Sequence, residues 1–515
     1  MRFITGIVIF AAAATAFGGQ RINHQGRILG PEPLVTVPLL FNTAQADAVV
    51  AAMQIMPVTS AWNEDVSRLP LLSNSAAMIA QITADLASNR RTLRAFYEMN
   101  YVLVPDGQAT QSINFFNYPD ESDLDGGVSP NGLYPIPPNL PVETWPNQTG
   151  NLTLAQWQQD VNNTGGDRHA IIVKPGAGLI WETWLTRLVG GAWQASNGAK
   201  FDLNSNTLRP AGWTSGDAAG LPMFPALVRY DECERGMVEH AVRLVVKRTR
   251  VGPIYPATHQ ASVGNTTNPD IPAMGQRLRL KASFVISANW TKQEKAVCRG
   301  LMKYGGLVAD NGGFFSFSVC PDDRFPSNAF DNLSSIAISN FEVVQSTGAT
   351  QGPRAPGAPG ASAGSDQTIP FGATALLQGN VSATLPTAIQ WKVYSGPGTV
   401  SFGNAAQPAT TAAFSLPGTY TLMLSADDSI HAVSYDATTI NVVLPTEGYA
   451  NGNDFIVQFP SLAGRIYQVE ASPDLSTVSW TTAADNIVGN GDLIQIPVVN
   501  ALSNIRGFYR VKVLP

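Results

Sequence analysis

The stretch from Phe201 to Tyr230 concentrates the side chains that could do chemistry. It places amide, carboxylate, guanidinium and indole groups in one Gly- and Pro-punctuated run without helical or strand periodicity, including Asp202, Arg209, Trp213 and Asp217. An irregular run needs hydrogen-bond partners other than a regular ladder, and polar loops between strands often carry function. We therefore expect either a site in this central loop or a structural loop whose Asn and Asp side chains cap its own backbone.

Carboxylates and tryptophans around this loop suggest glycoside hydrolysis as one chemistry. That reaction requires two carboxylates roughly 5–10 Å apart across the scissile bond. The candidate carboxylates are Glu182, Asp217 and Glu232, and the candidate aromatic platforms for sugar rings are Trp181, Trp193 and Trp213. The residues predict this chemistry only if at least two of the carboxylates converge in one cleft beside a tryptophan.

A polysaccharide lyase is the second enzymatic alternative. It would use a base such as His259 or Tyr255, with Arg277 or Arg279 neutralising a uronate, and Arg209 is a further candidate for substrate binding. Motifs for other chemistries are not indicated. G-x-S-x-G occurs only at residues 360–364, in a Pro-, Gly- and Ala-rich run where no strand-to-helix elbow is expected, and the sequence contains no HExxH helix, P-loop or dinucleotide fingerprint. Esterase, zinc-protease, kinase and NAD-dependent functions are therefore disfavoured.

An acidic run raises the question of calcium. Four carboxylates fall within six residues: Asp120, Glu121, Asp123 and Asp125. Calcium takes six to eight oxygen ligands, and a run of carboxylates this dense could therefore bind Ca²⁺. The spacing is not that of an EF-hand loop. The alternative is a set of solvated turn residues.

Composition favours an exported, mainly β protein. Only 14% of the residues are charged, Gly (46) and Pro (36) are abundant, and the net charge is −6. The acidic balance argues against nucleic-acid binding. At the N-terminus, Arg2 precedes the apolar stretch 3–14 and an A-x-A cleavage site at 14–16, so we predict a signal peptide over residues 1–19. No later stretch is long and apolar enough for a membrane span, and the expected location is secreted or at the cell surface.

Three cysteines would meet an oxidising compartment after export. Cys298 and Cys320 could pair there and leave Cys233 free, but the spacing leaves this open. No pair has C-x-x-C spacing, and the five histidines lie far apart in the sequence, so a zinc site is not indicated.

Local patterns predict several elements of a large N-terminal domain. Helical spacing after Ser73 predicts a short helix, and Thr291-x-x-Glu294 is a capping box that opens a helix through Lys303. Residues 170–184 predict a hairpin around Pro175-Gly176, and Asp310-Asn311-Gly312 predicts another between residues 307 and 319.

Alternation of apolar and polar residues predicts two further strands. One runs through 237–250 and places His240 on its apolar face, as expected for a core histidine. The other runs through 276–287, with Leu278 to Ile286 as its core face and Arg277, Arg279 and Lys281 on the opposite face. That cationic face could bind polyanions, or it is a solvated face or an internal Arg–carboxylate network.

A Pro-, Gly- and Ala-rich linker at 345–365 separates the large domain (20–344) from two smaller β-modules. Residues 366–445, with Trp391 in IQWKVYSGPGTVSF and Tyr420 in PGTYTL, resemble a bacterial PKD/Ig-like domain. The resemblance implies a sandwich with a buried strand-C tryptophan and a strand-F tyrosine, acting as spacer or adhesive module. Residues 446–515 resemble a C-terminal β-module of planctomycete and verrucomicrobial exported proteins.

The large domain resembles an uncharacterised family of secreted bacterial proteins. Blocks such as YPIPPNLPVE, GDRHAIIV and FDLNSNTLRPAGWTSGDAAGLPMFPALVRYDE carry this resemblance over residues 60–346. It implies no catalytic residues. We expect a jelly-roll-like β-sandwich with a few short helices that engages extracellular polysaccharide as a hydrolase or lyase. The alternatives are a non-catalytic glycan-binding or adhesion protein and a structural surface component.

Overall fold

The structure, a computed structural model, describes residues 20–147, 149–160, 166–261, 266–354, 356–476, 478–503 and 507–514. The predicted signal peptide lies outside these residues. The chain forms two compact units, and the protein is mainly β, as predicted. The large unit comprises Ile22–Ala358 with Asp427–Val433. The small unit comprises Pro359–Ala426 and Ser434–Pro515, together with Gln20 and Arg21. The boundary at Ala358 falls inside the predicted linker.

The large unit contains fifteen strands and five α-helices within its described residues. The helices are α1 (Ala44–Ala51), α2 (Ser75–Asp85), α3 (Leu154–Gln159), α4 (Tyr230–Arg235) and α5 (Lys292–Lys303). The strands are β1 (Leu39–Leu40), β2 (Leu93–Tyr97), β3 (Val102–Leu103), β4 (Gln111–Phe115), β5 (Asn131–Tyr134), β6 (Ala170–Lys174), β7 (Leu179–Trp184), β8 (Arg187–Val189), β9 (Ala192–Ala195), β10 (Asn197–Asp202), β11 (Val242–Val246), β12 (Arg277–Leu280), β13 (Gly306–Asn311), β14 (Phe315–Val319) and β15 (Phe341–Val343).

Three sheets organise this unit. Their strand orders are β1-β3-β6-β7-β10 for the five-stranded sheet, β5-β4-β9-β8 for the four-stranded sheet and β15-β12-β13-β11-β14-β2 for the six-stranded sheet. The five-stranded sheet is buried on both faces, which explains the continuous apolar run of β6. Ala170 and Ile172 pack in one hydrophobic core with the four-stranded sheet, whereas Ile171 and Val173 belong to the second, larger core.

Local sequence signals predicted several of these elements correctly. Helix α2 begins at Ser75, and α5 begins after the Thr291–Glu294 capping box and ends at Lys303. Strands β6 and β7 form the predicted antiparallel hairpin. His240 is buried, as expected for a core histidine.

The predicted hairpin around Asp310-Asn311-Gly312 is wrong. Strands β13 and β14 follow each other in sequence, yet β11 lies between them, parallel to β13 and antiparallel to β14. The register of β11 against β13 shifts between Leu244 and Val245, so that Val245 lies opposite Asp310. A β-bulge of this kind redirects side chains, and Asp310 is therefore part of a sheet rather than of a turn.

The strand predicted over 276–287 is shorter than expected. Strand β12 ends at Leu280, and its core face includes Leu278 and Leu280 but not Ala282, which is exposed. All three cysteines are buried and unpaired, so the structure contains no disulfide between Cys298 and Cys320.

The small unit contains the remaining fifteen described strands. They are β16 (Gly360–Ser362), β17 (Gln367–Pro370), β18 (Ala375–Gln378), β19 (Asn380–Ser382), β20 (Ala388–Ser395), β21 (Val400–Phe402), β22 (Ala409–Phe414), β23 (Gly418–Asp427), β24 (Ser434–Val443), β25 (Glu447–Asn451), β26 (Asp454–Pro460), β27 (Ile466–Ser472), β28 (Thr481–Val488), β29 (Leu493–Val498) and β30 (Phe508–Leu514). Sheets β17-β24-β23-β20 and β18-β22-β21 share one core, and β25-β26-β29 and β28-β27-β30 share another.

Two aromatic residues organise the first of these cores. Trp391 is buried and donates from Nε1 to the Pro408 carbonyl at 2.9 Å. The Tyr420 hydroxyl donates to the Leu416 carbonyl at 2.8 Å, four residues upstream, which resembles the tyrosine corner of immunoglobulin-like sandwiches. Both side chains are therefore buried core residues of a β-sandwich.

We expect Leu244→Ala to destabilise the large unit by about 2–5 kcal/mol, because Leu244 is fully buried in the larger core. The matched control is Leu34→Ala, since Leu34 is 79% exposed and its truncation opens no cavity. Urea unfolding followed by tryptophan fluorescence measures the difference, because eight of the ten tryptophans lie in the large unit. Equal midpoints for the two variants would contradict the placement of β11 in the core.

Candidate functional site

Two of the predicted catalytic carboxylates, Glu182 and Asp217, lie in one buried polar cluster. Glu182 projects from β7, is fully buried and accepts hydrogen bonds from the backbone N–H groups of Met223 and Phe224, at 2.9 and 2.8 Å. Asp217 lies in the central loop and is 1% exposed. The cluster thus ties the central loop to the five-stranded sheet.

A buried Glu143–His169 pair contacts the backbone of the central loop at Gly216. Glu143 Oε2 accepts from the backbone N–H and from Nδ1 of His169, at 3.1 and 2.9 Å, and His169 Nε2 lies 2.7 Å from the Gly216 carbonyl. Burial opposes ionisation, but the Glu143 carboxylate outweighs it and raises the pKa of His169 to about 9. Doubly protonated, His169 donates to both acceptors and fixes the backbone beside Asp217.

The backbone on each side of this pair is strained. Thr144, next to Glu143, has a φ of +67°, and Arg168, next to His169, has a φ of +55°. A positive φ is unusual for a residue with a side chain and is least favourable for a β-branched one. The Thr144 N–H donates to the Glu98 carbonyl at 2.9 Å, so the strained turn is linked to the end of β2. Strain of this kind persists only where the surroundings enforce it, and it concentrates at functional sites.

Arg243 extends the cluster towards the surface. Its Nε donates to Asp217 Oδ1 at 3.2 Å and its Nη2 to Asp310 Oδ2 at 2.6 Å. Ser318 lies 3.5 Å from Arg243 Nη1 and donates to Glu98 Oε1 at 2.7 Å. The Asp310 side chain is 26% exposed and Glu98 is half-buried, so this end of the network reaches solvent.

These residues share one side of the six-stranded sheet, which we call the polar sheet face. Its members are Arg94, Phe96, Glu98, Val245, Asp310, Ser316, Ser318 and Arg243. Strand register places them together, because Arg94 lies opposite Ser316 and Phe96 opposite Ser318. The other side of the same strands is apolar and belongs to the larger core, for example Phe317 opposite Leu244.

Aromatic side chains border the exposed part of this face. Phe96 and Phe314 are half-buried and pack edge to face, with ring centroids 5.4 Å apart. The Arg90 guanidinium lies 4.4 Å from the centroid of the Phe314 ring. A half-exposed aromatic pair beside two carboxylates is a surface on which the apolar side of a sugar ring can pack.

Burial makes several carboxyl groups of the cluster difficult to ionise. Desolvation raises the pKa of Glu98 to about 7, that of Glu182 to about 7 and that of Asp217 to about 6. Asp217 Oδ2 is buried and forms no hydrogen bond in the structure. Clusters of perturbed carboxyl groups are typical of functional sites.

The other two predicted catalytic residues lie elsewhere. Glu232, on α4, is fully buried and pairs with Arg229 and with His240, whose Nε2 lies 3.0 Å from Oε2. The ring of His259 lies 2.7 Å from the Ala218 carbonyl through Nδ1. Neither side chain is among the groups that contact Glu182 or Asp217, so the predicted set of four does not form one site.

The predicted sugar platforms are mostly core residues. Trp181 and Trp193 are 3% and 5% exposed and pack in the core between the five- and four-stranded sheets. Trp213 is half-buried, with the Arg209 guanidinium 5.5 Å from its ring centroid. The prediction that Trp181 and Trp193 stack against sugars is therefore wrong. Large aromatic rings are stabilised by burial, and these two are in the core.

The predicted substrate-binding arginines already have protein partners. Arg209 donates to the Thr214 and Glu121 carbonyls, at 2.8 and 2.7 Å, and pairs with Asp123. Arg277 is 3% exposed and donates to the Tyr304 carbonyl at 2.7 Å, and Arg279 pairs with Glu342 at 2.7 Å. Of the alternatives for this strand, the structure shows the internal network. The prediction that Arg277 and Arg279 bind a polyanion is therefore wrong.

The acidic run does not assemble a calcium site. Glu121 accepts from the Thr214 N–H, Asp123 from Arg209, and Asp125 from Lys200 and from Trp181 Nε1, while Asp120 is exposed. Among the described residues, no group of three or more His, Cys, Asp or Glu side chains is placed to hold a metal ion. The prediction from Asp120, Glu121, Asp123 and Asp125 fails because internal donors occupy the oxygens that calcium would need.

Comparisons with known proteins add little. None of the protein-family models matches the chain, and no curated protein is significantly similar to it. Solved structures with local similarity include a chimeric titin Z1Z2 functionalised with a KLER peptide from decorin, at 15% identity and a TM-score of 0.15, covering 31% of this chain and 90% of that one. Another is DIP-gamma IG1+IG2, at 13% identity and a TM-score of 0.14, covering 30% and 92%. Scores this low carry no functional argument.

Sequence analysis missed Glu98, Glu143, His169, Arg243 and Asp310. One available signal was the alternation Arg94-Phe96-Glu98, which marks a polar strand face. Asp310 was assigned to a turn because the sequence shows neither β11 between its neighbours nor the bulge that redirects it. None of the helices in the described ranges is both long and apolar enough to cross a membrane.

We expect ionisation of Glu98 and Glu182 to lower the free energy of unfolding as pH rises from about 4.5 to about 7. His24 and His240 make an opposite contribution, because burial lowers their pKa values to about 4 and about 3. Glu98 and Glu182 have folded-state pKa values near 7, above the ordinary 4.5, so the stability they contribute below pH 4.5 is lost as they ionise. His169 extends the decline, because its pKa rises from 6.5 to about 9 on folding. Urea midpoints between pH 4 and pH 9 measure the profile.

Glu182→Gln tests the assignment of this decline. The variant cannot ionise, so its profile should be flatter between pH 4.5 and 7 and keep the fall between 6.5 and 9. The control is Asp323→Asn, because Asp323 is an exposed carboxylate and its loss should leave the profile unchanged. An unaltered slope in Glu182→Gln would contradict the assignment.

Proposed function

We propose that the large unit acts on extracellular polysaccharide at the polar sheet face, as a glycoside hydrolase. The observation that carries this proposal is the chain of contacts from Glu98 through Ser318 and Arg243 to Asp310, on a partly exposed face. It supplies two carboxyl groups, at the ends of β2 and β13, on the same surface. Two carboxyl groups on either side of a glycosidic bond are what hydrolysis requires.

The two carboxyl groups differ in environment, as an acid and its partner must. Burial raises the pKa of Glu98 to about 7, so it keeps its proton below that pH and suits the role of general acid. The Asp310 side chain is 26% exposed and pairs with the Arg243 guanidinium at 2.6 Å, a position that suits a base or nucleophile. Phe96 and Phe314, at the border of this face, supply the apolar surface for the sugar ring.

Glu182, Asp217 and the Glu143–His169 pair act in this proposal as positioning residues. They are buried, and their contacts hold the central loop and Arg243 rather than an open surface. A lyase is less well supported, because His259 lies against Ala218 and Tyr255 lines a small cleft with Trp62 and Pro256, both away from the contacts of the polar sheet face.

Non-catalytic glycan binding is the second candidate. The observation that favours it is the full occupation of Glu182 and of the inner part of Arg243 by protein partners, which leaves only the outer surface for a ligand. In either case we propose that the protein is exported, with the β-sandwich modules of the small unit as spacers.

We expect the mature chain, residues 20–515, to release reducing ends from at least one member of a polysaccharide panel. Glu98→Gln and Asp310→Asn should each lower kcat by about 10²–10⁴-fold, because each removes one proton-transfer or charge-stabilising group. Activity of the unaltered protein should fall above pH 7, where Glu98 loses its proton. Asp106→Asn, in an exposed loop, is the matched control.

Circular dichroism and urea midpoints establish that each variant is folded. Undiminished turnover in Glu98→Gln would contradict the assignment of Glu98 as the general acid. Retention on a glycan without product would favour the binding protein, and neither retention nor product from any polysaccharide would refute engagement of glycans altogether.

A further inference from the structure

Arg94 is a cation on the polar sheet face that forms no ion pair with a described carboxylate. It lies on β2, half-buried, opposite Ser316. Its Nε is shielded from solvent and has no hydrogen-bond partner, and no ion pair joins Arg94 to a carboxylate among the residues that the structure describes. A buried donor without a partner is costly, and the guanidinium cannot avoid the cost by losing its proton.

The other arginines of this sheet are committed. Arg243 pairs with Asp217 and Asp310, and Arg279 pairs with Glu342. Arg90 is exposed, donates to the Gly313 carbonyl at 3.3 Å and lies over Phe314, which itself packs on Phe96. Arg94 therefore differs from these arginines, because its guanidinium N–H groups have no described partner and lie next to an aromatic surface.

We infer that the polar sheet face selects an anionic polysaccharide and that Arg94 binds the carboxylate of a uronate residue. This inference rests on the proposed function and names its substrate class. A planar guanidinium matches a carboxylate with two parallel N–H···O bonds, which gives both energy and orientation. Such a ligand would pair with the terminal N–H groups of Arg94, which, unlike Nε, are not shielded from solvent.

Strand geometry sets where the recognised sugar lies. Arg94 and Phe96 alternate along β2, Glu98 directly follows its last residue, and four residues of extended chain span about 13 Å. That distance is longer than one sugar ring, so the uronate on Arg94 is not the sugar whose bond lies at Glu98. Phe96, between them, lies under the intervening ring. The carboxylate at Arg94 thus positions the chain along the strand without contacting the reacting bond.

The test compares one polymer in two charge states. Polygalacturonate and its carboxyl-reduced counterpart are titrated against the mature chain in the Glu98→Gln background, which keeps both polymers intact. We expect polygalacturonate to bind at least about tenfold more tightly than the reduced polymer, as for the loss of one charge-assisted hydrogen bond. Arg94→Gln should remove this difference, and Arg94→Lys should restore only part of it.

Arg187→Gln is the matched control, because Arg187 is a half-buried arginine that lies over Phe116 on the four-stranded sheet of the same unit. Its affinity for polygalacturonate should match that of the parent. A polymer that carries sulfate esters but no carboxylates forms a third arm, and tighter Arg94-dependent binding of that polymer would overturn the uronate assignment.

The outcomes separate the two proposals. Equal binding of the acidic and reduced polymers, or an Arg94→Gln variant that is folded and still discriminates between them, would overturn the inference while leaving glycan engagement intact. If neither polymer binds and the wider panel is also silent, the proposed function fails first.

Discussion

The buried charge of Arg243 is the interaction on which the polar cluster depends. Its side chain is 3% exposed and pairs with Asp217 of the central loop and Asp310 of β13. A buried ion loses several kcal/mol of hydration, and removing one partner of such a pair costs about 3–5 kcal/mol because the remaining charge is left uncompensated. The central loop, the six-stranded sheet and the carboxyl groups between them therefore form one electrostatic unit, in which no member can move independently.

Elements specified by neighbouring residues were predictable from the sequence. Helix α5 follows from the Thr291–Glu294 capping box, which satisfies two orphan N–H groups wherever it occurs, and the β6–β7 hairpin follows from its turn. The mainly β architecture and the boundary near Ala358 were predictable for the same reason, because the amino-acid composition of each segment can be read without knowing its distant contacts.

The candidate site was largely hidden, because its contacts join distant parts of the chain. Arg243 meets Asp310 across 67 residues, and Ser318 meets Glu98 across 220. Alternation along a strand shows that a face is polar, but not whether water or another buried charge lies against it. This is why Arg277 was assigned to a possible ligand surface, although it bonds the Tyr304 carbonyl in the interior, and why Trp181 was assigned to a sugar platform.

The insertion of β11 between β13 and β14 has a consequence for synthesis of the chain on the ribosome. Until residue 311 has emerged, β11 lacks both of its sheet neighbours, and until residue 319 has emerged one of its edges stays unpaired and open to other chains. Asp310 and Ser318 come from the two strands that close over it, so the polar face is completed only in the last step of sheet assembly. A nascent chain stalled before residue 306 has this aggregation-prone strand exposed and no site, which makes β11 itself, Val242–Val246, the segment that a chaperone would protect.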